Sequence, residues 1–429
     1  MGFRELSARL AVDVAPHILA PRDARPPCRI CGGVVFDVFD FGNQPVSNGF
    51  VRPDEAGTET FFPLILGRCY SCAMVQQRVE VARSKMFHAD YPFRTSSSRS
   101  MSEHFAEVGE WLVGTELTAP DAFLVEIGCN DGVLLDTVRG HGVRHLGVDP
   151  STKASQVAMS KGVRVLVDFF EESTAATISQ SHGCADVIYA ANTLSHIPYI
   201  GSIFAGVRRL LADDGVFVFE DRYLADILEN TYFDQIYDEH FYLFSVQAVE
   251  RMVRRYGLEL VDVVWTPHHG GSVRYTVARP GRRPVQPAVL AMIGQEQERG
   301  LNEASTFDKF GDAITATRDK LVSLLLDLRA VGQRIIGYGA TSKSATVANY
   351  CNLGSEIIPF VCDSTPEKQG LLTPGTHIPI RPPRAFADPY PDYALLFAWN
   401  HAEEIMAKEK QFRAQGGRWI LYVPHVHIV

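Results

Sequence analysis

What this sequence lacks narrows it before any motif is read. No apolar run approaches the roughly 20 residues that a membrane-crossing helix requires. The opening residues, Met1-Gly-Phe-Arg-Glu-Leu-Ser-Ala-Arg-Leu10, hold no secretory hydrophobic core, and Leu6 stands where a myristoylation signal wants Ser or Thr. Basic residues are in deficit, 41 Lys plus Arg against 50 Asp plus Glu for a formal charge of −9, which disfavours nucleic acid as a partner. Short-period repeats are absent as well. The expectation is a cytoplasmic protein with no membrane partner, and its 429 residues, 46% of them hydrophobic, suffice for two to three full cores.

Cysteine is scarce, eight in all, and unevenly placed. Cys28-x-x-Cys31 and Cys69-x-x-Cys72 form two pairs early in the chain, while Cys129, Cys184, Cys351 and Cys362 sit singly in apolar stretches and read as small core residues. In a cytosolic chain two such pairs predict four thiolates around a tetrahedral zinc, with Gly32-Gly33 giving the knuckle its turn. Four sulfurs leave no open coordination position, so this metal is expected to be structural. The zinc module is drawn at 27–88, after a loosely held extension at 1–26.

The second informative stretch is Phe123-Leu-Val-Glu-Ile-Gly-Cys-Asn-Asp-Gly-Val-Leu-Leu-Asp136, an apolar run that breaks into a glycine turn. A further strand, ending Gly147-Val-Asp149, places an acid where a ribose diol can be held by two hydrogen bonds. The turn is Glu126-x-Gly128-x-Asn130-x-Gly132 rather than Gly-x-Gly-x-x-Gly. Acidic and uncrowded, it suits a cofactor with no pyrophosphate and a positive sulfur, S-adenosylmethionine. Glu126, Gly128, Asn130, Asp131, Gly132 and Asp149 are the candidate cofactor residues. Asp168 and Phe169 follow the third strand, where an acid reaches an adenine amine and a ring packs on the base, although a helix cap and a core ring read equally well. Asn192 and His196 end the fourth strand. Alternating strands (123–127, 145–148, 164–167, 186–190, 215–220) and helices then define a central Rossmann-like domain at 89–280.

Arg279-Pro-Gly-Arg-Arg-Pro-Val-Gln-Pro287 is a compositional break and a linker candidate. A helix at 308–330 leads into a second βα run beginning Ile335-Ile-Gly-Tyr-Gly-Ala340. Its Gly337-x-Gly339 lacks the third glycine, with Ser342 in that place, so a Rossmann-like scaffold without a redox cofactor is expected at 281–429, Gly339 and Lys343 facing a phosphate or sugar. The overall fold class is α/β.

Tyr237-Asp-Glu-His240 crowds four polar groups between Ile236 and Phe241. Alone it reads as a reaction site or as a solvated turn. As a site, His240 is the general base and Glu239 orients its ring.

These motifs together resemble the three-part sugar C-methyltransferases that act on nucleotide-linked 4-keto-deoxysugars in antibiotic and cell-surface sugar pathways. The resemblance runs from Cys28 onward through Gly42-Asn-Gln-Pro-Val-Ser-Asn48, the Glu126–Leu135 turn, Tyr237-Asp-Glu-His240, Gly270-Gly-Ser-Val-Arg274, Gly337-Tyr-Gly-Ala340 and Thr373-Pro-Gly-Thr-His-Ile-Pro-Ile380. It implies a structural zinc, a central class I methyltransferase domain holding S-adenosylmethionine, and a C-terminal domain that helps bind a sugar nucleotide, with dTDP the implied nucleotide and a monomer the implied state. It also places an upstream tyrosine, Tyr91 here, beside Tyr237, Glu239 and His240. Candidate substrate contacts are Ser272, Arg274, Gly339, Lys343, His377 and Asn400. The expected chemistry is removal of the proton next to the ketone by His240, with His196 as a second candidate base. Tyr237 or Tyr91 supports the enolate oxygen, and the carbon, expected to be C-3, is methylated. An O- or N-methyltransferase is the alternative. The chain departs from the family at Asp238, where histidine is common, at Tyr91-Pro-Phe93 for Tyr-x-Tyr, and at Thr341-Ser-Lys-Ser344 for Pro-Ala-Lys-Gly.

Overall fold

The computed structural model describes residues 17–18, 26–86 and 94–429. Three sheets organise it, one for each expected module.

The zinc-module sheet is built around Thr60–Cys69, whose Phe62, Leu64 and Leu66 are fully buried. Val35–Pro45 and Val75–Gln77 pair with it antiparallel, and His17–Ile18 joins it in parallel. Its last strand, Tyr242–Leu243, arrives from far downstream, directly after His240, and pairs with Val75–Gln77. That strand was not foreseen, because two residues carry no periodicity of their own.

The central sheet runs in the order Glu259–Thr266, Ser272–Ala278, Leu211–Arg222, Ala185–Ala191, Phe123–Ile127, Arg144–Val148, Val165–Leu166. The last five strands are parallel; Ser272–Ala278 inserts antiparallel beside Leu211–Arg222. Chain order reverses between Phe123–Ile127 and Ala185–Ala191, the crevice where a doubly wound sheet takes its ligand. The helix Arg99–Thr115 starts at Ser98, whose side chain accepts from the Met101 amide. It buries Met101, Phe105, Val108 and Leu112 at helical spacing against this sheet.

The C-terminal sheet has the order Ile380–Arg381, Val361–Cys362, Ile335–Tyr338, Tyr393–Leu396, Arg418–Leu421, His427–Ile428, parallel except for the final strand. The helix Ala304–Ala330 buries Phe307, Phe310, Ile314, Leu321 and Leu325 along one stripe.

The modules share cores. Cys28, Cys69 and Met74 belong to the core of the central domain, while Phe62, Leu64 and Leu66 join that of the C-terminal sheet, so the zinc module is wedged between the other two. The break at 279–287 is not a loose linker: Arg279 donates to the carbonyls of Arg208 and Leu211, and the Gln286 amide bonds Val261. The helix Pro287–Glu298 then packs on the central domain, where buried Glu296 accepts the Val246 and Gln247 amides at the start of the helix Val246–Arg255. Among the described residues no helix is long and apolar enough to cross a membrane.

Candidate active site

A cavity of about 600 Å³ opens where the three modules meet. Its floor is the carboxyl edge of the central sheet.

At the cofactor end, Gly128 has φ 73°, and a Cβ there would lie 2.4 Å from Thr193 Oγ1, so the turn requires glycine. Gly132, φ 75°, starts the helix Val133–Gly140 with a Cβ position only 2.8 Å from that of Ala158. Asp149 is held by two amides, Asn130 on Oδ2 and Ser151 on Oδ1, both at 2.8 Å. Burial raises its carboxyl above the ordinary range, and these two amides oppose that shift. Each oxygen keeps a free lone-pair direction for a ribose hydroxyl. Asn130, Asn192 and Phe169 also face the cavity.

Glu126 and Asp131 lie behind that wall. Burial, then Asp149 and Asp131, pushes the Glu126 carboxyl well up. Asp131 accepts the Ser96 amide at 3.3 Å, and Asn130 accepts that of Thr95 at 3.1 Å, docking the serine-rich segment on the turn. Asp168 is exposed and outside the wall, its Oδ1 accepting the Phe169 amide at 2.8 Å. Arg83, from the zinc module, lies over the Phe169 ring at 4.3 Å. The residues fit S-adenosylmethionine: an acid held by two amides for its diol, and a Cβ-free turn for close approach. Replacing Asp149 with Ala should weaken S-adenosylmethionine binding by about 10- to 100-fold, measured by calorimetry; an unchanged affinity contradicts this assignment.

At the reaction end, His240 is buried and its Nδ1 lies 2.5 Å from the Gln235 carbonyl, so Nδ1 carries the proton and Nε2 is the basic nitrogen. Nε2 is buried without a hydrogen-bond partner. The expectation that Glu239 orients this ring is corrected: the Gln235 carbonyl does so, and Glu239 accepts Asn48 Nδ2 at 2.5 Å on the cavity wall. Tyr237 packs against His240 with ring centroids 3.9 Å apart, and His196 stacks on it at 5.2 Å. His196 and Tyr237 line the cavity, with His240 directly behind them. Burial, then the Arg222 charge, holds both imidazoles neutral, His196 at about 3 and His240 well below its usual value. Burial pushes the Tyr237 phenol up, so it remains a hydrogen-bond donor. Tyr91 lies outside the described residues.

This segment is held from the zinc module. Gln77 Nε2 donates to the carbonyls of Tyr237 and His240, at 2.5 and 2.9 Å. Asp238 accepts the Ser47 amide at 2.9 Å, its carboxyl raised by burial to about 6. The residue where the family commonly carries histidine is thus a buried clasp on the zinc-module loop.

The four thiolates behind it fit zinc. Their sulfurs lie within 4.8 Å of one another, with Cys28–Cys72 at 3.6 Å and Cys31–Cys69 at 3.3 Å. Tetrahedral Zn–S bonds put sulfurs about 3.8 Å apart. Gln76 Nε2 donates to Cys28 Sγ at 3.1 Å and the Gly33 amide to Cys31 Sγ at 3.4 Å, as thiolate ligands need.

The opposite wall is basic. Lys343, one residue into the helix Ser342–Tyr350, is buried, donates to Asn400 Oδ1 at 3.2 Å and sits 4.6 Å over the Trp399 ring. Burial lowers its ammonium to about 8, against the opposing charge of Asp234. Lys368, Arg222, His269 and His401 line the same end. Four expected substrate contacts do not reach the wall. Ser272 Oγ is turned to the His268 carbonyl, and Arg274 pairs with Glu220 at 2.5 Å and covers Trp111. His377 pairs with Glu59 at 2.6 Å, clasping the C-terminal and zinc modules. At Gly339, φ 90°, a Cβ would fall 2.9 Å from that of Ala398, so close packing explains the glycine. Sequence reasoning gave no role to Arg222, His269, Lys368, Asn48 and Gln77; Asn48 and Lys368 sit in motifs, but only the fold brings the five to this site.

Three family models match in chain order: a zinc binding domain at residues 28–87, a methyltransferase domain at 103–263 and a C-methyltransferase C-terminal domain at 267–424. The chain is 35% identical over 405 residues to C-methyltransferase NovU of Streptomyces niveus, covering 94% of this chain and 96% of that protein. A ubiquinone biosynthesis O-methyltransferase of Burkholderia pseudomallei (strain 1710b) is 26% identical over 171 residues, 37% of this chain and 74% of its own length. Among solved structures, magnesium protoporphyrin IX methyltransferase from Synechocystis PCC 6803 with bound S-adenosylmethionine matches at TM-score 0.31 and 17% identity, over 42% of this chain and 79% of that one; at that score it adds nothing to the assignment.

Proposed function

Because this chain belongs to the three-domain C-methyltransferase family and is an S-adenosylmethionine-dependent methyltransferase with a zinc module, we propose that its acceptor is a carbon next to the ketone, C-3, of a nucleotide-linked 4-keto-deoxysugar. The observation that carries this reading is the make-up of one cavity. Asp149 stands on the cofactor side, Lys343 and Lys368 on the C-terminal wall, and two neutral imidazoles lie by the central sheet with Arg222 beside them. A diphosphate-bearing acceptor would be drawn to the two lysines.

When bound, S-adenosylmethionine supplies the electrophilic methyl group. The chain's own residues make the carbon nucleophilic. His240 Nε2, fixed by the Gln235 carbonyl, takes the acidic proton beside the ketone. Tyr237 donates a hydrogen bond to the oxygen that gains charge, a contact of a type worth about 3 kcal/mol. Lys343 and Asn400 face the diphosphate. The wall of three modules excludes water from the enolate. The cavity position of His196 favours a second reading in which that imidazole is the base and His240 backs it. The nucleotide is taken as dTDP, and the state as a monomer, on the family resemblance.

The test is a pair of sugar nucleotides offered with labelled cofactor, one carrying a 4-ketone and its 4-alcohol counterpart. Label should enter the ketone and not the alcohol. Equal labelling of both, as an O-methyltransferase gives, overturns the proposal.

A further inference from the structure

Arg222 ends the strand Leu211–Arg222 at the carboxyl edge of the central sheet and lines the cavity. It is buried to more than nine-tenths, yet its Nε and Nη1 have no hydrogen-bond partner. Asp221 is the carboxylate nearest in the chain, its Oδ1 at 3.6 Å from Nη1, beyond hydrogen-bond range, while it accepts the Ser195 and Arg222 amides. Asp221 thus pairs with the guanidinium by charge alone and leaves its N–H groups without hydrogen bonds, a cost that a hydrogen-bonding anion in the cavity would offset in part. Its charge falls on His196, Tyr237, His240 and His269 together, the groups around the reacting carbon.

On the reading of function above, we propose that Arg222 is a catalytic residue whose Nη2, the guanidinium nitrogen that is not sealed inside the protein, donates to the enolate oxygen, making it the cationic half of an oxyanion site that Tyr237 completes. The C–H bond beside the ketone breaks and its proton passes to the imidazole. The pair left behind forms the ring C=C bond, and the carbonyl π pair moves onto oxygen, opposite the guanidinium. When the carbon takes the methyl group, the pair returns, the carbonyl reforms and Arg222 loses its anion. Arginine suits this place because its fork stays charged and cannot be drained by the developing base. Lys343 and Lys368 stand on the C-terminal module and serve the diphosphate; Arg222, on the central sheet, is the cation that acts on both imidazoles, whereas Lys343 acts on His240 alone of the two.

The test uses the full zinc-loaded chain and a 4-keto sugar nucleotide, measuring deuterium exchange beside the ketone and steady-state methylation. In Arg222→Gln the exchange rate and kcat should both fall by about 10²- to 10³-fold, with KM for the sugar nucleotide within about threefold and zinc content and S-adenosylmethionine affinity unchanged. Added guanidinium should restore part of the rate to Arg222→Ala, and Arg222→Lys should recover more than Arg222→Gln. A rise in KM at unchanged kcat makes Arg222 a phosphate ligand and overturns the inference. So does undiminished exchange in a variant that still binds cofactor. Absence of exchange in the wild-type chain overturns the reading of function and this inference with it.

Discussion

His240→Asn should lose deuterium washout from the acceptor, and methylation with it, by about 10²- to 10⁴-fold, the usual worth of a positioned general base. Asparagine is the informative replacement because its amide can still donate to the Gln235 carbonyl that now fixes Nδ1, so the loop keeps its hydrogen bond and loses the basic nitrogen. Cofactor affinity and zinc content should be unchanged. Persistent washout would move the base to His196, whose ring stacks on His240 and faces the cavity. A second readout follows from the charge state. Burial, then Arg222, lowers both imidazoles, so each is already in its basic form at neutral pH. The profile of kcat/KM should therefore show no acid limb near roughly 6.5, the ordinary imidazole value; a limb there would mean an exposed histidine does the work.

The second large effect concerns a metal that touches no substrate. Removing zinc should abolish turnover, because the strand Val75–Gln77 lies between the thiolate cluster and the reaction segment. Gln76 bonds Cys28 Sγ, and Gln77 bonds the carbonyls of Tyr237 and His240. Refilling the apo chain with cobalt or cadmium should return kcat to within about twofold, since a closed four-sulfur site has no position for a reactant. A metal-dependent kcat contradicts a purely structural role. Gln77→Leu isolates the link: it leaves the His240 carbonyl without its hydrogen bond, at about 1–3 kcal/mol, while that of Tyr237 keeps the His240 amide. The expected outcome is a loss of kcat with cofactor affinity retained, read by single-turnover kinetics and calorimetry.

How much of this was legible beforehand depends on how local each signal is. The cysteine pairs, the Glu126–Gly132 turn and the strands of both Rossmann-like domains announce themselves within a few residues, and the strand expected at 123–127 is found at Phe123–Ile127. Groups defined by long-range contact were hidden. Tyr242–Leu243 is a strand only because Val75–Gln77 lies beside it. Glu239 stands next to His240 in the chain and looked like its partner, yet a tight turn hands the ring to Gln235 and the carboxylate to Asn48. Arg274 and His377 sit in family motifs but meet buried carboxylates, Glu220 and Glu59, that no pattern links to them. Arg222 follows a buried strand and an acid in the chain, and reads as an ordinary strand end until its donors are found empty.

The central claim is that a carbon beside a ketone receives the methyl group. Its most direct measurement is the NMR spectrum of the product formed from a 4-keto sugar nucleotide and methyl-labelled S-adenosylmethionine. The account predicts a labelled methyl bonded to the ring carbon adjacent to the carbonyl. A label bonded to oxygen or nitrogen contradicts it.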